Sequence, residues 1–135
     1  MKTVLVLFSE GSEELEAVTV VNILRRAGVA VTLAGLGNGA LHGSRGTAIV
    51  PDATLDAALA HNYDMVVLPG GQPGTNRMRA DPRVSQLVRQ MHAHGKYVAA
   101  ICAAPSVLAA AGLLDGKRAS CYPGSGTSDQ SRGLY

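Results

Sequence analysis

Short apolar runs alternate with amphipathic stretches along most of the chain. Thr3 to Phe8 and Met65 to Leu68 are continuous apolar runs, the pattern of parallel strands covered on both faces. Val29 to Leu36 and Tyr97 to Ile101 read as two further strands, and Arg118 to Cys121 as one more. Between them the spacing turns helical. Ser12 can cap a helix whose first turn carries Glu13, Glu14 and Glu16, and Gly28 ends it after Ala27. Leu55 to Ala60 predicts a short helix. Asp81-Pro82 has the form of a cap followed by proline at the first helical position, with a stop at Gly95. Ala103 to Ala111 predicts a last helix, capped by Gly112. The turn Gly37-Asn38-Gly39 opens a β-hairpin from His42 to Val50, closed by Pro51.

This alternation implies an α/β fold: one mostly parallel sheet, helices on both faces, and a hairpin. The 135 residues support a single domain over 1–135. Gly124 to Tyr135 is Gly/Ser-rich and reads as loop. Charged residues make up only 16% of the chain, so part of the surface must be neutral or covered by a partner such as a second copy. The net charge is +2 and no Lys/Arg run exceeds Arg25-Arg26. That pair suits a solvated helix face rather than sequence-specific nucleic-acid binding. The apolar start is short and is followed by acidic residues, so it reads as a buried strand and not as a signal peptide or membrane segment. Cys102 and Cys121 form no CxxC pair, which excludes a zinc ribbon or thioredoxin motif and fits a reducing cytoplasm.

In an open α/β sheet, sites lie outside the carboxyl ends of the strands. Ser9 to Glu16, Pro69 to Asn76 and Cys102 to Pro105 all leave that edge. Cys102 stands at a strand-to-helix junction, where an elbow projects the side chain and amides point at it. An ordinary thiol has a pKa of about 8.5, and holding it ionised at neutral pH takes more than a helix start supplies. A second donor is therefore expected, a protonated carboxyl from Glu13, Glu14 or Glu16. The amides of Gly70-Gly71, with that of Ala103, could form an oxyanion hole. His42, His61, His92 and His94 lie outside the three convergent segments, and His92 and His94 point to different helix faces, a poor metal pair.

Ser9-Glu10-Gly11-Ser12-Glu13-Glu14-Leu15-Glu16, Val67-Leu68-Pro69-Gly70-Gly71 and Ala100-Ile101-Cys102-Ala103-Ala104-Pro105 resemble segments of the DJ-1/PfpI (ThiJ/PfpI) superfamily in order, spacing and type. Asn22 to Gly28 and Leu41 to Gly46 resemble its DJ-1/YajL branch. The resemblance implies a flavodoxin-like sandwich with Cys102 as nucleophile and Glu16 as the acid that hydrogen-bonds it. It places the oxyanion-type amides on Gly71 and Ala103, supported by Gly70. Arg45 falls on an arginine linked with the site and the dimer surface, and Glu13 is its ionic neighbour. Tyr122 stands where some members carry a histidine near the cysteine. Members are typically homodimers and work without metal or nucleotide cofactor. The family continues through a further strand region and a C-terminal helix, so the chain reads as C-terminally truncated.

The implied activities act on α-oxoaldehydes or on glycated protein and nucleotide adducts, of glyoxalase or deglycase type, with oxidative-stress protection. A non-enzymatic reading makes Cys102 a redox sensor or chaperone switch through oxidation. A PfpI-type peptidase would need a histidine base, and no histidine follows Cys102.

Overall fold

A computed structural model describes residues 1–125. Five strands form one parallel sheet: β1 (Thr3–Phe8), β2 (Ala30–Gly35), β5 (Ala53–Thr54), β6 (Met65–Leu68) and β7 (Tyr97–Ala100). Their order is β5-β2-β1-β6-β7. β3 (Leu41–His42) and β4 (Ala48–Ile49) pair antiparallel as a separate hairpin. The helices are α1 (Glu14–Arg26), α2 (Leu55–Ala58), α3 (Gln72–Ala80), α4 (Pro82–Ala93) and α5 (Pro105–Ala110). This is the parallel sheet between helices that the alternation implied, in the flavodoxin-like form that the resemblance implied.

The strands are apolar throughout because both faces are covered. Leu5, Leu7, Val66 and Leu68 point into a core shared with α2, α3, α4 and α5. Val4, Val6, Phe8 and Val67 point the other way, toward Ala17 and Val21 of α1 and Leu41 of the hairpin. Every side chain of β1 beyond Thr3 is buried. The second face is covered less completely. Beside α1 an almost wholly apolar groove of about 460 Å³ runs over β6 and β7, with Val67 and Ala99 in its lining and Ile23 at α1.

Four local expectations change. The cap of α1 is Glu13, whose carboxylate accepts the Leu15 N–H; the Ser12 hydroxyl is used instead by the Ser9 N–H, 3.0 Å away. Gln72 to Ala80 is helical despite Pro73 and Gly74, because a proline in the first turn forfeits no helical hydrogen bond. The last helix starts at Pro105 rather than Ala103, since Cys102 to Ala104 form a turn. Arg118 to Cys121 is not a strand of the sheet; only Ser120 makes a bridge, and the Tyr122 N–H bonds the Cys102 carbonyl at 2.7 Å. The loop expected from Gly124 onward begins as a turn, and residues 126–135 lie outside the described ones. No helix is long and apolar enough to cross a membrane among the described residues.

Candidate active site

β6 and β7 are neighbours in parallel register, with Leu68 opposite Ala100. The chain therefore leaves both strands at the same edge, and Gly70 and Cys102 meet there. A Cβ on Gly70 would lie 2.7 Å from both the Cys102 Cβ and Glu16 Oε1, so only glycine lets the two side chains flank the backbone here. The Gly70 N–H donates to Glu16 Oε1 at 2.9 Å. Gly71 has φ +86, and a Cβ there would come within 2.5 Å of the Glu13 nitrogen. Both glycines are thus required by close approach, not merely by a turn.

Cys102 has φ 60, the one non-glycine residue with positive φ among the described residues. That conformation costs an L-residue roughly 1–2 kcal/mol and marks the elbow as strained. It turns the half-buried sulfur toward the N–H groups of Ala103 and Gly71, which both favour the thiolate. Burial, followed by the charge of Glu16, nevertheless pushes the thiol up. Glu16 is itself pushed up, first by burial, while the Gly70 N–H and the Cys102 contact pull it down. The two groups form a coupled pair: stripping both protons is costly, and the state with one shared proton dominates between the two steps. Burial first, and then the charge of Glu16, outweigh the Ala103 and Gly71 amides at Cys102, in line with the expectation that a helix start alone falls short. A proton on Glu16 removes the second of the two effects that push the thiol up.

Glu13, Glu16, Arg45, Gly71, Cys102, Ala103 and Tyr122 all line one hollow of about 560 Å³. Gly70 lies behind it. Glu13 Oε2 accepts the Ser44 hydroxyl at 2.8 Å, which leads the effects holding its carboxyl below the usual range, Arg45 adding to them. Tyr122 is largely exposed at the rim. Ser44 and Gln72 also line the hollow and were not singled out from the sequence. Ser44 sits within the hairpin motif, but a lone serine carries no signal of its own. None of the four histidines lines the hollow; the His42 ring instead meets Glu10 Oε1 at 3.1 Å. Among the described residues no group of three or more His, Cys, Asp or Glu side chains could hold a metal ion.

A nucleophilic sulfur, an adjacent carboxyl and two amides aimed at one point can attack a carbonyl and hold the oxygen that results. Comparisons with known proteins show the family that carries this fold. The DJ-1/PfpI family model matches residues 2–131. The chain is 44% identical over 123 residues to Protein dj-1beta of Drosophila melanogaster, covering 90% of this chain and 66% of that one. It is 40% identical over 125 residues to the Parkinson disease protein 7 homolog of Danio rerio, covering 91% of this chain and 66% of that one. A deglycase of Pyrococcus horikoshii is 33% identical over 121 residues, 90% of this chain and 72% of its own. The structure of oxidized Toxoplasma gondii DJ-1 superposes with a TM-score of 0.88 at 38% identity, covering 91% of this chain and 68% of that one. The chain spans about two thirds of the length of the fly and zebrafish proteins. With that family model running through all three site segments, the chain belongs to the DJ-1/PfpI family.

Proposed function

We propose that this chain acts through Cys102 on α-oxoaldehydes or on their adducts with proteins and nucleotides, as a glyoxalase or deglycase. The observation that carries this reading is the placement of Cys102 and Glu16 on either side of Gly70, facing one hollow. The similar deglycase of Pyrococcus horikoshii supports the substrate class. In the reactive state the shared proton resides on Glu16. The sulfur attacks the aldehyde carbon; a C–S bond forms and the carbonyl pair moves to oxygen, which takes the Glu16 proton. The amides of Gly71 and Ala103 hold that oxygen while charge develops. Glu16, now ionised, carries a proton from the first carbon to the second while the hydroxyl proton of the first carbon passes to the oxygen of the second, leaving a lactoyl thioester. Water then hydrolyses the thioester, so methylglyoxal plus water gives lactate and the free thiol.

Purified protein given methylglyoxal should produce lactate, and Cys102→Ser should abolish the product. The pH dependence of Cys102 alkylation tests where the proton sits. With the proton on Glu16, the reading expects the Ala103 and Gly71 amides and the Glu16 donor to outweigh burial and bring the inflection below that of a free thiol, about 8.5. Glu16→Gln keeps a donor beside the sulfur and should not lower it. An inflection above the free-thiol value that falls on substitution would mean that Glu16 is the ionised partner, and the mechanism would fail.

One observation favours a second reading, the likeness to oxidized Toxoplasma gondii DJ-1. Peroxide would take the Cys102 thiolate to a sulfenic and then a sulfinic acid, held by Glu16 and the same amides. Mass spectrometry after mild peroxide would reject this if Cys121 gained the oxygen instead. For either reading we infer a cytoplasmic homodimer. Leu15 and Val18 stand exposed on α1, beside Ile49 and Arg45, and would be covered by a second copy. Sedimentation should give twice the chain mass, and Val18→Asp should halve it.

A further inference from the structure

Glu14 presents a puzzle that the reaction leaves unexplained. It is an acidic residue only 9% exposed, on a helix whose neighbouring acids face solvent or the hollow. Its Oε1 accepts the backbone N–H of Arg45 at 2.9 Å. Its Oε2 is buried with no hydrogen-bond partner among the described residues, a costly place for a carboxylate oxygen. The room it occupies exists because position 43 is glycine: a Cβ on Gly43 would overlap the Glu14 carboxyl group. Next to this contact the Ser44 N–H donates to the Ser12 carbonyl at 2.8 Å, and the Ser44 hydroxyl donates to Glu13 Oε2 at 2.8 Å. The corner closes on itself as well, the Gly46 N–H reaching the Gly43 carbonyl at 3.0 Å. Everything fastened here is the corner of the hairpin that puts Ser44 and Arg45 in the wall of the Cys102 hollow.

We propose that Glu14 is a positioning residue: wedged into the space that Gly43 leaves open, it clamps the Ser44–Arg45 corner to α1 and so fixes the cationic wall that Arg45 gives the Cys102 hollow. This rests on Cys102 being the working nucleophile. Neither Glu14 nor Gly43 lines the hollow. Glu14 acts through the Arg45 backbone, and a misplaced corner would move the guanidinium that faces an incoming molecule.

The test compares alkylation of Cys102 by iodoacetate and by iodoacetamide, which differ by one negative charge. In the wild-type protein Arg45 should favour the anionic reagent, and Arg45→Ala should lower the rate ratio by about two- to fivefold, the effect of one partly solvated charge. Glu14→Ala should lower it by the same factor, and Glu14→Ala with Arg45→Ala should lower it no further. Glu14→Gln keeps an acceptor for the Arg45 N–H and should restore the ratio. Gly43→Ala fills the same space from the hairpin side; it should match Glu14→Ala and carries the test if that variant does not fold. A general loosening of the fold would change both rates together and leave their ratio unmoved. A wild-type ratio in Glu14→Ala or Gly43→Ala with an intact circular dichroism spectrum overturns the proposal, as does a ratio indifferent to Arg45. A protein that alkylates normally at Cys102 but makes no lactate defeats the catalytic reading and leaves this test standing.

Discussion

The two faces of the sheet are built unequally. One face lies under four helices, and its buried set runs unbroken from Leu5 on β1 to Ala111 after α5. Among the described residues the other has α1 and the hairpin, with the groove beside Ile23 and Val67 open between them and the sheet edge. Yet the thinner face supplies most of the polar side chains of the hollow: Glu13 and Glu16 from the start of α1, Ser44 and Arg45 from the hairpin. The thicker face contributes the elbow, through the turn into α5. Rigidity and chemistry are thus divided across the sheet. Cys102 is held by the well-packed side, and the acids nearest it ride on a layer with a smaller core beneath it.

Core truncation should expose this difference most strongly. Leu7→Ala, fully buried under the four-helix face, should cost about 2–5 kcal/mol in denaturant unfolding. Val67→Ala, on the groove side, should cost only about 1–1.5 kcal/mol, because an open wall leaves no closed cavity. Equal losses would show that the two faces are equally packed. A smaller effect is expected at the rim of the thick face. Asp81 caps α4 through the Arg83 N–H and pairs with the Arg83 side chain at 2.7 Å. Asp81→Ala should cost about 1–2 kcal/mol. The Arg83 hydrogen bond holds the Asp81 carboxyl below its ordinary range, so its contribution is present above the unfolded value of about 3.9. It is lost as pH falls through the lower folded value, so acid titration should narrow the gap between wild type and variant. The smallest change should come at the groove itself. Ile23→Ser alters an exposed residue and should shift stability by less than about 0.5 kcal/mol. Binding of an apolar dye should fall in the same variant; undiminished dye fluorescence would place the apolar surface elsewhere.

Much of this was legible in the chain. Strands β1 and β6 announce themselves because burial on both faces removes every polar residue from their interiors. The meeting of three loops at one edge follows from parallel topology alone. What escaped was set by contacts between distant segments. Helix α3 was hidden because Gly74 looks like a breaker, whereas it is there to let Ser12 approach; a Cβ at 74 would strike the Ser12 backbone. β5 is two residues long, too short for any period to show. Of the three acids at the start of α1, spacing could not say which would face the sulfur. Glu16 is selected by the Gly70 N–H, Glu13 by Ser44, and Glu14 is turned away under the hairpin. The balance on the thiol was also beyond reach, because it depends on how much water burial removes from both members of the pair.

The left-handed backbone at residue 102 has a consequence for how this protein would evolve in the laboratory. A glycine there would relax the turn, and a β-branched residue would aggravate it. Heat-resistance screening alone would therefore drift toward discarding the sulfur, whereas screening for the proposed lactate formation would retain it. The one non-glycine residue with positive φ among the described residues is the cysteine that faces Glu16 across the hollow, and thermal stability gives no reason for that choice.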